Sequence, residues 1–268
     1  MRSLWILALA AAWAAEEKQE IRRSFASARR IEVDNVSGGI RVAGHDSSTV
    51  ELVATQTIQA DTADDLARAR QEVKLDISEP EGVVRLYVDG PFRCDCGGSR
   101  RGRRGYSVRY DFELRAPRGA FYALSTVNQG DIRVEGLDGD YDVENINGGI
   151  EMVEVGGSGR VHGLNRPVKV LFKKNPRSNS SFGSLNGEIE LVFLPGLSAD
   201  FRIKTFNGKI YTDFPMTALA PLAPVAARRD GKFVFRTDRH SGVRVGQGGP
   251  EIKIDGFNGT IRILERKP

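Results

Sequence analysis

Short runs in which apolar and polar residues alternate recur along most of this chain. In residues 131–134, 150–153 and 189–192, for example, aliphatic side chains occupy every second position. Alternation with a period of two predicts strands that bury one face. Gly with Asn or Asp separates many of the runs, and these residues favour tight turns. The pattern therefore predicts an all-β chain built from many short strands.

One segment departs from this period. Between Asp61 and Glu72, Leu66 and Ala69 are spaced as on one face of a helix, and acidic residues cluster in the first turn. Asp61 or Thr62 can act as the N-cap, because either side chain accepts a hydrogen bond from an early backbone N–H. We expect one short helix over residues 61–72.

A Gly followed two positions later by Ile occurs six times, and the last five of these Gly are separated by 18, 39, 21 and 51 residues, which indicates a unit of about 20 residues. Asn directly precedes four of the six. The glycines are Gly38, Gly130, Gly148, Gly187, Gly208 and Gly259, and the asparagines are Asn147, Asn186, Asn207 and Asn258.

Short strands with one apolar face cannot bury that face alone, whereas stacked repeat units form a continuous core. The repeat therefore predicts a right-handed parallel β-helix or β-roll-like solenoid with rungs of about 20 residues. An antiparallel β-sandwich is the alternative, because Asn-Gly is also a strong hairpin signal. Stacking would place the repeat asparagines one above another. We therefore interpret them as a ladder of amide hydrogen bonds at structural turns.

The N-terminus has the features of a secretory signal peptide. Arg2 is followed by an apolar stretch over residues 4–12 and by the cleavage-site pattern Ala12-Trp13-Ala14. We assign residues 1–15 to the signal peptide and 16–30 to an N-terminal segment. Residues 31–117 form a β-rich part, and 118–268 the repeat part, within one continuous domain over 31–265. With no second long apolar run, the mature chain is expected in the periplasm or at the cell surface.

Charge and cysteine content restrict the chemistry. The formal net charge is +4 in 268 residues, so nucleic acid is not an expected partner. One loop stands out because it combines two cysteines with four arginines: Cys94, Cys96, Arg100, Arg101, Arg103 and Arg104. The cysteines allow a strained local bridge, two free thiols or half of a metal site. The arginines could bind phosphate, sulfated glycan or an anionic membrane, which makes this segment a candidate interaction loop.

Several segments resemble the secreted bacterial putative-adhesin repeat domain, a family of unknown function. The resemblance extends over about residues 31–265 and is strongest at 107–212. It is carried by residues 110–117, 125–132, 144–150, 184–191 and 204–210. Two departures are Gln129, which displaces Asn from Gly130, and Pro167, which stands where an Asn-Gly turn is expected. The resemblance implies a β-solenoid and no catalytic residue.

Motifs for catalysis are weak in this sequence. His45, His162 and His240 are scattered, and no hydrolase signature accompanies them. Asp138, Asp140 and Asp142 alternate as in some calcium loops, but the distal Glu of an EF-hand is missing. We therefore expect no cofactor and a non-enzymatic adhesin-like or scaffold module with a protein or glycan partner at the cell envelope. The alternative is a parallel β-helix polysaccharide lyase or hydrolase.

Overall fold

A computed structural model describes residues 15–93, 105–221, 225–229, 232–236 and 240–267. One α-helix, α1, spans Ala63–Glu72, and a 3₁₀ turn spans Pro80–Gly82. The strands of the first half are β1 Ala15–Phe25, β2 Arg30–Asp34, β3 Ile40–His45, β4 Val50–Ala60, β5 Lys74–Ser78, β6 Val83–Asp89, β7 Tyr106–Pro117, β8 Phe121–Thr126, β9 Ile132–Glu135, β10 Tyr141–Asn145 and β11 Ile150–Val155. Those of the second half are β12 Gly159–Gly163, β13 Val168–Phe172, β14 Ser180–Ser184, β15 Ile189–Phe193, β16 Ala199–Lys204, β17 Ile210–Thr212, β18 Thr217–Ala218, β19 Val225–Arg229, β20 Lys232–Arg236, β21 Ser241–Val245, β22 Glu251–Gly256 and β23 Ile261–Glu265.

Most strands belong to two large sheets. Sheet A has the order β1-β4-β7-β3-β9-β11-β13-β15-β23-β17. Sheet B has the order β18-β21-β16-β22-β14-β12-β10-β8-β2-β6-β5. Strands β19 and β20 pair with each other as a separate two-stranded sheet. The predicted all-β class is confirmed, with two mixed sheets that do not close on themselves.

Successive strands alternate between the two sheets. From β8 to β15, even-numbered strands lie in sheet B and odd-numbered strands in sheet A, and from β10 onward each pairs in parallel with the strand two before it. We call each such pair of consecutive strands a unit. The strands that flank each Asn-Gly turn thus lie in different sheets, so these turns do not form the β-hairpins of the alternative prediction.

The C-terminal unit is inserted out of sequence order. Strand β22 lies between β14 and β16, and β23 lies between β15 and β17. Along the stack the units therefore run β2–β3, β8–β9, β10–β11, β12–β13, β14–β15, β22–β23 and β16–β17. Residues 251–265 connect two units that precede them in the chain.

Antiparallel strands occupy both ends of the stack. At the N-terminal end β1, β4 and β7 extend sheet A, and β5 pairs with β6 in sheet B. At the other end β21 pairs with β16, and β18 pairs with β21. These additions make both sheets mixed, whereas the middle of each sheet is parallel.

The core fills the space between the sheets. In β10, for example, Tyr141, Val143 and Asn145 are buried and the residues between them are more exposed. Parallel pairing in register places inward residues of neighbouring units side by side, as in the stacked rings of Phe172 and Phe193, whose centroids are 4.8 Å apart. Each fully buried large apolar side chain contributes about 1.5–3 kcal/mol.

The predicted helix is confirmed as α1. The Thr62 hydroxyl accepts a hydrogen bond from the Asp65 backbone N–H at 3.1 Å, which makes Thr62 the N-cap. Asp64 and Asp65 lie in the first turn and Arg70 in the last, where their charges complement the helix dipole. Ala69 is buried against the sheet.

Two segments with weak strand patterns in the sequence contain strands. Residues 178–181 lead into strand β14, whose Phe182 is buried in the core. Residues 215–230 contain β18 and β19. Strand β14 is hard to recognise in the sequence because its Ser and Gly residues have a low strand propensity. It forms a strand because its pairing with β12 and β22 outweighs that propensity.

Candidate functional site

The asparagines that follow the sheet B strands form a continuous ladder. Each side-chain N–H donates to the side-chain oxygen of the asparagine in the preceding unit of the stack, with N···O distances of 2.7–3.0 Å. In spatial order the ladder is Asn128, Asn147, Asn165, Asn186, Asn258 and Asn207. The hydrogen bonds expected between stacked asparagines are present. Their order follows the insertion of the C-terminal unit.

The two apparent departures from the repeat do not interrupt this ladder. In the unit β8–β9, the ladder residue is Asn128, and Gln129 is an extra residue with a φ of 55° before Gly130. In the unit β12–β13, Asn165 takes the ladder position although Arg166 and Pro167 follow it. Gln129 therefore separates Asn128 from Gly130, and Arg166-Pro167 follows Asn165 in place of Gly, but both turns keep their ladder asparagine.

A second, buried polar layer is formed by the residues two positions before the ladder asparagines in the chain. The Asn145 amide donates to the carbonyls of Gly130 and Gly149 at 3.0 and 3.1 Å, and its oxygen accepts from the Gly148 N–H. Ser184 accepts from the Gly187 N–H at 2.9 Å in the same way. These bonds satisfy backbone groups that would otherwise be buried without partners at the turn.

The repeat glycines allow neighbouring turns to approach closely. A Cβ on Gly148 would lie 1.8 Å from the Gly130 carbonyl oxygen, and one on Gly187 would lie 2.1 Å from the Arg166 carbonyl oxygen. Gly259 also has a φ of 142°, which side-chain-bearing residues rarely adopt. The remaining predicted turn residues, Gly38, Gly130, Asn207 and Gly208, lie at the equivalent places in their units.

Between the two polar layers, each turn carries one apolar side chain, which is exposed in five units and half-buried at Val36 and Val127 in the other two. The backbone carbonyl of each of these residues except the last accepts a hydrogen bond from the backbone N–H of the ladder asparagine in the next unit. These hydrogen bonds give the order of the residues along the stack. Five are exposed, from 37% for Leu164 to 71% for Phe206. In spatial order these residues are Val36, Val127, Ile146, Leu164, Leu185, Phe257 and Phe206. We call this row the apolar ladder, and together with the Asn ladder it forms the turn edge.

The turn edge ends in an aromatic cluster. The rings of Phe206 and Phe257 stack with centroids 5.0 Å apart and an interplanar angle of 6°. Nearby, β17 exposes Ile210 and Tyr211, and the Arg262 guanidinium lies 5.3 Å from the Tyr211 ring centroid. Exposed apolar rows of this kind on a folded surface mark interaction sites more often than single exposed residues do.

The sequence signal for the apolar ladder was overlooked. An aliphatic or aromatic residue directly precedes every ladder asparagine, from Val127 before Asn128 to Phe206 before Asn207. In a strand, such a residue would be assigned to the buried face. The turn rotates it outward, so only the tertiary structure distinguishes these residues from core positions.

Beside the turn edge, a groove of about 810 Å³ lies on the outer face of sheet A. It contains cations and carboxylates in similar numbers, and many of them pair with each other. Arg133 binds Glu151 at 2.9 Å, and Arg41 binds Glu113 at 3.3 Å. The Asp131 carboxylate accepts from the Gly149 N–H at 2.7 Å. Because the groove is nearly neutral, its charge does not favour an anionic ligand.

A smaller hollow on sheet B is lined by Glu32, Asp34, Asp142 and Glu144. Arginines neutralise these carboxylates. Hydrogen bonds from Arg85 and Arg30 lower the pKa of Glu32. Arg93 binds Asp34 at 2.9 Å, and Arg160 contacts both Asp142 and Glu144. Across the described residues, no group of three or more His, Cys, Asp or Glu side chains is arranged to hold a metal ion.

The structure separates the acidic residues considered for calcium. Asp138 binds Lys173 and Lys174, and these contacts lower its pKa. Asp140 accepts from the Ser158 N–H at 2.9 Å. Since Asp142 faces Arg160, the three carboxylates have different partners and do not converge.

The three histidines also lie apart. His45 Nδ1 accepts from the Ser47 N–H in a turn, and His240 Nε2 lies 2.9 Å from Asp255. His162 Nε2 lies 3.3 Å from the Ser181 hydroxyl. Burial lowers the pKa of His162, and the nearby charge of Arg160 adds to this effect.

The pKa of His162 leads to a prediction about acid stability. Because folding lowers this pKa, protons bind the unfolded chain more readily. The stability that neutral His162 contributes is therefore present above its unfolded pKa of about 6.5 and lost as the pH falls below it. The free energy of unfolding is measured in urea at pH 7.5 and 5.5, which bracket the ordinary histidine pKa of about 6.5. We expect His162→Gln to lose less stability on acidification than the wild type. An unchanged loss would contradict this, and His45→Gln at the end of β3 serves as control.

The predicted candidate interaction loop, with Cys94, Cys96, Arg100, Arg101, Arg103 and Arg104, lies outside the described residues, as does the predicted signal peptide except for Ala15. None of the described helices has both the length and the apolar character needed to cross a membrane.

No protein-family model and no curated protein matches this chain. Three solved structures are similar over most of their length. A putative cell adhesion protein from Clostridium sporogenes is 9% identical with a TM-score of 0.45, covering 93% of this chain and 100% of that chain. A putative adhesin from Bacteroides fragilis is 10% identical with a TM-score of 0.37, covering 92% and 97%. A putative lipid binding protein from Parabacteroides distasonis is 10% identical with a TM-score of 0.34, covering 94% and 97%.

Proposed function

We propose that this chain is an exported, non-enzymatic β-solenoid that acts as an adhesin-like interaction module at the cell envelope. The alternation of strands between two sheets supports the solenoid, because each unit of about 20 residues adds one strand to each sheet. The continuous Asn ladder supports it as well, since the ladder requires turns stacked in register.

The turn edge is the observation that carries the binding role. An exposed row that ends in Phe206 and Phe257 offers apolar contacts, and the neighbouring asparagine amides offer hydrogen-bond donors and acceptors. The row leaves apolar surface exposed to water and does not contribute to the core. A binding partner would remove that surface from water.

The contacts of the acidic groups favour binding over hydrolysis. A glycosidase needs a carboxylic acid with a raised pKa next to a second carboxylate. Here the pKa of Glu32 is lowered by two arginines, and the carboxylates beside it also have arginine partners. A polysaccharide lyase or hydrolase therefore remains the less favoured function.

A retention assay tests this proposal. The fluorescently labelled mature chain is incubated with immobilised polysaccharides and with isolated bacterial cell envelopes, and both retained protein and released sugar are measured. We expect retention without release of sugar. The double variant Leu185→Ser, Phe206→Ser should retain at least about tenfold less protein, because both side chains lie in the apolar ladder.

The matched control is Glu135→Ser, an exposed change on the outer face of β9, away from the turn edge. Sugar release that persists in the purified wild type would support the enzymatic alternative. Absence of retention on every surface would contradict the interaction role. Fractionation of cells that express the tagged chain tests export, and a cytoplasmic chain would contradict that part.

A further inference from the structure

The apolar ladder increases in side-chain size from one end to the other. Its order is Val36, Val127, Ile146, Leu164, Leu185, Phe257, Phe206, with Leu164 in the middle. Two such ladders that run in opposite directions match large residues with small ones. Val36 then faces Phe206 of the second ladder, and Leu164 faces its own equivalent. Ladders in the same direction would instead oppose Phe to Phe and Val to Val, which leaves a gap at one end.

We propose that the turn edge binds the turn edge of a second copy of this chain, with the ladders antiparallel and a twofold axis at Leu164. This inference rests on the proposed role of the turn edge as an interaction surface and names its partner. A twofold axis makes the contact isologous, so each copy uses the same residues.

The chemistry of the Asn ladder fits this partner. Within one copy, each of the four inner ladder amides uses one N–H and one oxygen lone pair for its neighbours. An amide has two N–H donors and two acceptor sites, so one of each remains. With the ladders antiparallel about this axis, the apolar rows meet each other and the Asn rows meet each other. The unused N–H donors of one copy then face the unused oxygen acceptors of the other. A hydrocarbon surface has no groups that could form these hydrogen bonds.

The size of the turn edge also suits a dimer. Seven rungs at about 4.8 Å make it about 34 Å long, and two sheets about 10 Å apart with flanking side chains make it about 18 Å wide. Each copy would bury about 600 Å², so the pair buries about 1,200 Å², the lower limit of stable specific interfaces. No residue of the apolar ladder or the Asn ladder carries a charge, so association buries none in these rows.

The first test uses the self-contact of Leu164. Leu164 is exposed, so Leu164→Glu and Leu164→Lys should each fold, but each would place two like charges at the axis. In sedimentation experiments we expect the wild type to dimerise and each variant to dissociate with a constant raised about a hundredfold. Mixing the two variants in equal amounts should restore dimerisation to within about tenfold of the wild type.

A matched control is Gln19→Glu, which adds the same charge on the exposed strand β1 and should leave dimerisation unchanged. Thermal unfolding of each variant shows whether it has kept the fold. Loss of dimerisation without rescue in the mixture would overturn the position of the axis, and thus the proposal.

The second test is cross-linking in a chain with Cys94→Ser and Cys96→Ser. Under mild oxidation, Leu164→Cys should cross-link with itself, because its two copies meet at the axis. Phe206→Cys, although more exposed, should cross-link with Val36→Cys on another chain and not with itself. Self-cross-linking of Phe206→Cys would indicate parallel ladders and overturn the proposal.

A wild type that stays monomeric up to about 100 μM, a concentration far above the dissociation constant of ordinary specific dimers, also overturns it. If that monomer binds phosphatidylcholine vesicles and Leu164→Glu does not, the occupant of the turn edge is a bilayer. The retention assay is independent of this result. A monomer that is still retained on envelopes disproves the dimer and leaves the interaction role intact.

Discussion

A chain that ends at Gly249 is expected to lose the cooperative unfolding transition of the full-length protein. The deletion removes β22 and β23, which lie between β14–β15 and β16–β17. Without them, β14 and β15 each lose the neighbouring strand on one side, and β16–β17 has no strand to pair with except β21 in sheet B. Circular dichroism during thermal unfolding measures the effect.

The magnitude follows from the buried side chains of the inserted unit. Ile252, Ile254, Ile261 and Ile263 are completely buried. At about 1.5–3 kcal/mol each, together they contribute about 6–12 kcal/mol. This equals the net stability of a typical domain, about 5–15 kcal/mol. The deletion should therefore unfold at least the C-terminal half of the stack.

Two measurements make this expectation specific. Ile254→Ala should destabilise the intact chain by about 2–5 kcal/mol, whereas the control Lys253→Ala, one residue away on the outer face, should change little. A synthetic peptide of residues 250–268 should restore part of the transition to the shortened chain. A shortened chain that unfolds like the full-length protein would show that the inserted unit is dispensable.

Gly148→Ala is expected to destabilise the protein by about 3 kcal/mol, at the upper end of typical overpacking effects. The new Cβ would lie 1.8 Å from the Gly130 carbonyl oxygen and 2.6 Å from the Asn145 amide nitrogen. Relief requires the two turns to separate, which stretches the buried hydrogen bonds of Asn145 and the ladder bond between Asn128 and Asn147. For a chain of this size, the melting temperature should fall by about 6–12 °C.

The neighbouring residue provides a close control. A Cβ on Gly149 would meet its nearest atoms at 3.6 Å, an ordinary contact, and its backbone has no unusual φ. Gly149→Ala should therefore change the free energy of unfolding by less than about 1 kcal/mol in either direction. Equal destabilisation by both substitutions would show that backbone flexibility, and not the close approach of turns, is the reason for glycine at position 148.

Local features were well predicted where the responsible interactions lie close in sequence. The helix α1 is an example, since Thr62, Asp64 and Asp65 act within one turn. The strands with strict alternation are another, because a single buried face imposes a period of two. The stacking of asparagines was also expected from sequence, since a repeated turn motif brings the same residue type to the same place in neighbouring units.

The arrangement of the units required the tertiary structure. In sequence, the repeat at Gly259 follows that at Gly208, but in space it precedes it. Parallel strand pairing needs a compatible register, and β23 pairs in register with both β15 and β17. Nothing local distinguishes the two possible positions of the last unit.

The candidate site was likewise predicted only in part from the sequence. Its asparagines were expected in a structural role, whereas its apolar ladder was not recognised at all. Leu164 or Leu185 before an Asn resembles a core residue in the sequence, because hydrophobicity alone does not specify on which side of a turn a side chain lies. The loop with Cys94 and Arg100, preferred from composition, lies outside the described residues.

By itself, then, the sequence determined an all-β chain with a unit of about 20 residues, one capped helix, and turns that need Gly and Asn. Short-range sterics and periodic burial are sufficient for these features. Only the tertiary structure decided which units are neighbours and which apolar residues face water. Both depend on contacts between residues far apart in the chain, such as Asn186 with Asn258, and a local pattern does not encode them.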